Sequence, residues 1–330
     1  MQAKALRERA CIADNMASVV DEEVIVIVLP VSRAIASVAL LAFHALLRIY
    51  RPSSEHLLIR YNRMVARYPR WLIAIHPRVD FVDEFELRFS CDVSNVMQRH
   101  LFYRGAWQHE LISVLKLALE PGDVFVDIGA HHGYLALPAA RIVGVEGLVF
   151  AVEASPAQLS VLAQSVVRNR LDNVVLISLA ASDAASIGQI HQPEEGKEGA
   201  AAIVPNFEAA ASYSVLFTDL CSVLPRSVWR RIKVIKIDVE GWEYMAFLGL
   251  SQLLATEPPA LIICEARDDL LRMAGSSLEQ LSSLLADFGY QPVHVHSLDH
   301  DDLAFVNTTR ALGLMERLEA AQLVTSAAFN

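Results

Sequence analysis

The sequence predicts an α/β fold: a doubly wound, mostly parallel, seven-stranded sheet preceded by a helical N-terminal extension. Three observations point to it. Short, near-continuous apolar runs recur between helical patterns, as strands covered on both faces require. The first such run ends in an acid and a glycine-bearing bend, FVDIGAHHGYLAL (125–137). Acids also close most of the later runs, so carboxylates gather at one rim of the predicted sheet.

Taken in order, the elements begin with the extension. Residues 24–47, VIVIVLPVSRAIASVALLAFHALL, are nearly all apolar. Asp21, Glu22 and Glu23 precede them, which is the wrong flank for a signal peptide. The length suffices for a bilayer. Against that, Arg33 near the middle costs about 2.5–3.5 kcal/mol on insertion scales, and Pro30 and His44 interrupt the run. Next, Arg60, Arg63, Arg67 and Arg70 recur at helical spacing opposite Leu57, Tyr61, Met64, Tyr68 and Trp71. The favoured reading is a helical cap or homodimer element. Peripheral membrane contact through residues 24–70 and a membrane span remain as alternatives. The expected division is an extension over 1–80 and one α/β domain over 81–330.

Within that domain, Phe85, Leu87 and Phe89 alternate with Glu86, Arg88 and Ser90, predicting a half-buried strand over 81–93. HELISVLKLALE (109–120) predicts a helix ended by Pro121-Gly122. Strands follow at VFVDI (124–128), LVFAVE (148–153), VVLIS (174–178), VIKID (234–238) and LIICE (261–265). Helices fall at 134–142, 156–169 and 243–253. QPVHVHS and DLAFVN supply the last two strands, and 185–215 reads as a loop or small hairpin insertion.

Composition narrows the function. The net charge is −10, with ten Lys/Arg against six Asp/Glu in residues 1–70 and 18 against 32 in the rest. An acidic body excludes nucleic acid as the main partner. Hydrophobic residues make up 54% and the mean hydropathy is +0.34, which asks for a large core, an interface or membrane contact. Cys11, Cys91, Cys221 and Cys264 form no CxxC pair and read as reduced thiols in a cytoplasmic compartment, with membrane association left open.

In a doubly wound sheet the ligand lies at the carboxyl ends of the strands. There the sequence places Asp127 with Gly129, Ala130, His131 and Gly133, then Glu153, then Ala181, Ser182 and Asp183, then Asp238 and Glu240, then Glu265. A dinucleotide fingerprint would have glycine where His131 stands, and Asp127 would repel a phosphate. No phosphate-binding GxxxxGK[ST] loop occurs. A cationic, ribose-bearing ligand fits better. S-adenosyl-L-methionine has a sulfonium, an ammonium, a ribose for Glu153, and one carboxylate for the amides that start the next helix.

GDVFVDIGAHHGYLAL, VFAVEASP, RNRLDNVVLISLAASD and VIKIDVEGWEYMAFLGL resemble the FkbM-type methyltransferases, a branch of the class I S-adenosylmethionine-dependent fold. The resemblance covers roughly residues 105–265, and more loosely to 310. It implies O-methylation of a small-molecule or glycan hydroxyl, on a sugar, polyketide or other secondary metabolite. The family usually has Asn in place of His131 and commonly Pro in place of Ser155.

The KIDVEGWE run (236–243) is the most specific of these motifs, and the residues allow two readings of it. A lysine inside a parallel strand needs a carboxylate partner, so Lys236, Asp238 and Glu240 form either a structural brace or a catalytic group. In the second reading Asp238 accepts the hydroxyl proton, directly or through a divalent metal. His131 and His132 are alternative bases, and Glu110 and Glu265 are further candidates for the cavity. His294, His296, Asp299, His300, Asp301 and Asp302 have metal-ligand chemistry, although a plain acidic turn explains them better and no metal ligand is assigned. The competing function is a non-enzymatic binding protein that retains the methyltransferase fold. A nicotinamide-dependent oxidoreductase is disfavoured by His131.

Overall fold

The structure is a computed structural model. It describes residues 78–92, 98, 101–102, 108–193, 202–203, 209–295, 303–311 and 313–326. The expectations for residues 1–77, and for His296, Asp299, His300, Asp301 and Asp302, lie outside the described residues.

In chain order the elements are β1 (Arg78–Val82), β2 (Arg88–Asp92), α1 (His109–Ala118), β3 (Val124–Ile128), α2 (Ala136–Val143), β4 (Leu148–Val152), α3 (Pro156–Asn169), β5 (Val174–Ile177), β6 (Ala180–Ala181), β7 (Ser186–Pro193) and β8 (Ala209–Thr218). They continue with α4 (Leu220–Val223), α5 (Arg226–Trp229), β9 (Ile232–Ile237), α6 (Glu243–Thr256), β10 (Leu261–Cys264), α7 (Asp268–Met273), α8 (Leu278–Asp287), β11 (Tyr290–Val295), β12 (Leu303–Asn307), α9 (Leu314–Ala320) and β13 (Val324–Ser326).

The main sheet has the order β13-β11-β12-β10-β9-β3-β4-β5. Its β10-β9-β3-β4-β5 part is parallel, and β12 runs antiparallel between β10 and β11. These are the seven expected strands. An eighth, the short β13, pairs antiparallel with β11; three residues are too few for a periodic signal.

Alternation along each strand explains the double winding. Val124, Val126 and Ile128 of β3, with Ile235 and Ile237 of β9, pack beneath Phe247, Leu250 and Leu253 of α6 and Leu281 and Leu285 of α8. Phe125 points the other way, with Val149, Val234 and Leu261, against Leu111 and Leu115 of α1, Leu137 of α2 and Leu318 of α9. Both faces are covered, so the strands read as continuous apolar runs.

The 81–93 stretch differs from expectation: it is the end of a two-stranded hairpin, β1 with β2, rather than one strand. Asp83 Oδ1 accepts from the backbone N–H of Phe85 (2.9 Å) and Leu87 (2.8 Å), and Glu86 takes a left-handed φ of +59°. A short Asp side chain that satisfies local amides favours a turn over a strand. The 185–215 insertion is a hairpin, β7 with β8, and β8 also pairs with β6 to form a separate three-stranded sheet. Among the described residues, no helix is long and apolar enough to cross a membrane.

Candidate active site at the switch point of the sheet

From β3 the chain adds β4 and β5 on one side, then returns to add β9 and β10 on the other. The carboxyl ends of β3 and β9 therefore border the switch point, the place where doubly wound sheets bind their ligands. Asp127 and Lys236 are register partners across these strands. Lys236 is 5% exposed and Asp127 1%. The Lys236 ammonium lies 3.9 Å from Asp127 Oδ1 and 2.9 Å from Asp238 Oδ2. A buried lysine thus stands between two acids, as its strand position demanded. Burial pushes the Asp127 carboxyl up to about 6; Lys236 opposes that shift and Asp238 adds to it. Asp127 Oδ1 remains a buried acceptor with no hydrogen-bond partner.

Beyond Asp127 the chain bends sharply. Gly129 has φ +80°, and a Cβ there would overlap the backbone carbonyl oxygen of Asp238. The amide of Asp238 also donates to Ile128 O at 3.0 Å. The two strand ends touch backbone to backbone, and only glycine permits it. The amides of Gly129 and Ala130 donate to Val152 O, and that of Gly133 to Ala130 O, which closes the bend.

His131 sits at its apex with φ +50°. Asn and His tolerate the left-handed region better than most residues, which accounts for both this histidine and the asparagine usual at its position in the resembled family. The His131 N–H donates to Glu153 Oε2 at 2.8 Å. Glu153 Oε1 accepts from Ser155 N–H at 2.7 Å, so the carboxylate after β4 ties the two loops together. Burial raises the Glu153 pKa, while these two amides oppose the shift. Each oxygen keeps a further lone pair for a ribose hydroxyl. The His131 ring lies 4.0 Å from that of His132, centroid to centroid. Burial, then His132, holds His131 well below its ordinary pKa, and its Nδ1 is buried without a partner. His132 meets the Tyr134 hydroxyl at 2.9 Å and is pushed down to about 4, chiefly by burial.

The β6–β8 sheet closes one side of the rim. Ala181 and Ser182 are buried, and Ser182 N–H donates to Thr218 O at 2.9 Å. Ser182 Oγ donates to Asp183 Oδ1 (3.1 Å) and accepts from the Trp242 indole N–H (3.4 Å). Trp242 also meets Phe217 edge to face, with centroids 6.2 Å apart. Ser155, the N-cap of α3, donates from Oγ to Gln192 Oε1 of β7 at 3.1 Å. The hairpin thus contacts the residues just beyond Glu153, Ala181 and Glu240.

The strand carrying the KIDVEGWE run ends at Ile237, so alternation extends only to Asp238. Glu240 stands in the following turn with φ +52°. The Arg267 guanidinium is held above its usual range by Asp269 first, with Glu265 and Glu240 contributing, which places both glutamates around that cation. Glu110 Oε2, on α1, is buried without a hydrogen-bond partner. His294 lies on β11, with β12 and β10 between it and β9. Among the described residues, no three His, Cys, Asp or Glu side chains are grouped as a metal ion needs.

Sequence reasoning passed over two residues here, Trp242 and Glu243. Glu243 is 1% exposed and its Oε1 accepts from the amides of Val239 (3.1 Å) and Gly241 (3.0 Å). The available signal was an acid at the first position of a helix whose other inward residues are apolar.

A parallel β10-β9-β3-β4-β5 sheet with the antiparallel β12 inserted between β10 and β11, and an acid-and-glycine bend at its switch point, defines a class I, Rossmann-like methyltransferase fold. Residues 127–292 match the Methyltransferase FkbM domain, and the chain belongs to that family. No match was found among curated proteins. Among solved structures, the chain is similar to a precorrin-6y C5,15-methyltransferase from Geobacter metallireducens, at 17% identity and TM-score 0.36, over 60% of this chain and 84% of that one. It is also similar to Aeropyrum pernix fibrillarin with natively bound S-adenosyl-L-methionine, at 16% identity and TM-score 0.36, over 59% of this chain and 73% of that one.

Proposed function

We propose that the protein transfers a methyl group from S-adenosyl-L-methionine to a hydroxyl of a sugar, glycan or secondary metabolite. One observation carries the reading: a side-chain-poor bend at the switch point is ringed by Asp127, Asp238 and Glu153, with Asp127 Oδ1 buried and lacking a hydrogen-bond donor. A cationic cosubstrate supplies such donors, whereas a dinucleotide phosphate would meet only repulsion.

Asp127, Gly129, Ala130, His131, Gly133, Glu153, Ala181 and Ser182 would hold S-adenosyl-L-methionine, which supplies an electrophilic methyl group when bound. The remaining work belongs to the chain. Lys236 orients Asp238 at 2.9 Å, and Asp238 retains 22% side-chain exposure against 2% for Asp127. Asp238 is therefore the acid that an incoming hydroxyl reaches, and its carboxylate receives the proton as the oxygen becomes nucleophilic. Glu240, in the turn that directly follows, helps to aim the acceptor. Alignment of the reacting atoms provides most of the rate. A divalent ion at Asp238 would compete with the Lys236 ammonium, so a chelator leaves the rate unchanged.

Calorimetry tests the first half. Saturable S-adenosyl-L-methionine binding is expected, lost in Asp127→Ala and Glu153→Ala and retained in Asp238→Asn. Release of S-adenosylhomocysteine in the presence of hydroxyl acceptors tests the second, and Asp238→Asn abolishes it. Absence of binding by the unmodified protein removes the proposal.

A further inference from the structure

Glu243 is as deeply buried as Asp127, yet it lies behind the rim, at the first position of α6. One of its oxygens takes both amides that flank Glu240, those of Val239 and Gly241. The other, Oε2, is buried with no hydrogen-bond partner. On the far side of the turn, a Cβ on Gly241 would press within 2.7 Å of the Leu270 carbonyl oxygen, and Gly241 has φ +100°. The turn is therefore gripped between a carboxylate and the backbone of α7. A left-handed glutamate persists only where the surroundings over-determine it, and Glu240 is such a residue. Asp238, just before the turn, is pinned on its other side by the hydrogen bond its backbone N–H donates to Ile128 O.

We propose that Glu243 is a positioning residue: by holding the Val239–Gly241 turn through Oε1, it sets where Asp238 and Glu240 stand for the acceptor. This rests on the methyltransferase reading above and adds to it a residue that touches neither substrate. A buried carboxyl is costly to keep, and capping alone does not account for it, because it accepts from the Val239 and Gly241 amides in the turn before the helix. The negative charge of Asp238 acts on Glu243, which agrees with their closeness.

The test compares Glu243→Ala, Glu243→Gln and Glu243→Asp in the full chain. Hydrogen exchange at the amides of Val239 and Gly241 reads the turn, calorimetry with S-adenosyl-L-methionine reads the donor site, and methyl transfer to methyl glucoside and methyl rhamnoside reads chemistry. In Glu243→Ala the two amides exchange at least tenfold faster, donor Kd stays within about twofold, and kcat falls by up to roughly a hundredfold, the scale a 1 Å misplacement can reach. Glu243→Gln keeps an acceptor oxygen on the turn and restores both the amide exchange and kcat. Glu243→Asp, one methylene short, replaces the alanine variant if that one fails to fold. Unchanged amide exchange overturns the proposal, as does a kcat loss that Glu243→Gln fails to rescue. Absent donor binding in the unmodified protein, or no transfer to either glycoside, counts against the reading of function instead; the exchange comparison still decides whether Glu243 holds the turn.

Discussion

Lys236 is the residue on which the rim turns, because its ammonium is the cation between two acids at the ends of β3 and β9. Removing one partner of a buried ion pair strands the other charge and costs about 3–5 kcal/mol. Lys236→Met should destabilise by that order, measured as a lower urea midpoint, and Asp127→Asn added to it should recover most of the loss. Failure of the second substitution to rescue would show that Lys236 matters for packing alone. Gly129 is constrained differently. Gly129→Ala asks for a left-handed alanine, costing about 1–3 kcal/mol, and drives a methyl group into the Asp238 carbonyl. It should lower the melting temperature and abolish S-adenosyl-L-methionine binding together; a variant that binds normally would contradict the close approach of the two strand ends.

Helices and strands differed in how plainly the sequence announced them. The parallel strands β3, β4, β5, β9 and β10 were legible because burial on both faces writes them as short apolar runs. The acids that end β3, β4, β9 and β10 were legible for the same reason, since a carboxylate ending such a run needs a polar partner or an opening. The β1–β2 hairpin was hidden: Phe85 and Leu87 alternate as in a strand, yet Asp83 satisfies their amides and turns the chain. Glu243 was hidden by its helix, where one acid among apolar residues looks like a favourable first-turn charge. The partner that gives it meaning lies in a turn whose shape no local period encodes. The β7–β8 hairpin was foreseen as one of two readings, a loop or a small hairpin insertion, but its contact with the N-cap of α3 depends on tertiary approach. That contact makes its own prediction. Ser155→Ala removes the N-cap acceptor and the bond to Gln192, so it should cost about 1 kcal/mol, read as a shifted denaturation midpoint with unchanged slope. It should also speed exchange in β7; an effect confined to α3 would mean that the hairpin is held by Ile190, Phe217 and Trp242 alone.

Over the whole molecule the buried acids and histidines of the site act oppositely on stability. Glu243 is pushed up to about 7 and Asp127 to about 6, burial being the main cause in both. Folded protein therefore keeps protons that the unfolded chain releases, and this contribution is full at low pH and lost as pH rises through about 7. His131 and His132 are pushed down by burial, His132 to about 4. For them the unfolded chain takes up protons first, so their contribution is full above the ordinary histidine pKa of 6.5 and lost as pH falls. Between about pH 4.5 and 6.5 the two effects offset each other, and the stability of the unmodified protein should vary little there. Above that window only the acids still titrate, and stability should decline. Glu243→Gln separates the terms, because it cannot ionise. A rise from 4.5 to about 7 in a group 1% exposed corresponds to roughly 3 kcal/mol. The variant's stability relative to the unmodified protein should therefore climb by about that amount between pH 4.5 and 8, followed by urea denaturation across the range. A difference that stays constant with pH would mean Glu243 is ionised throughout, with its charge balanced by the turn amides it holds.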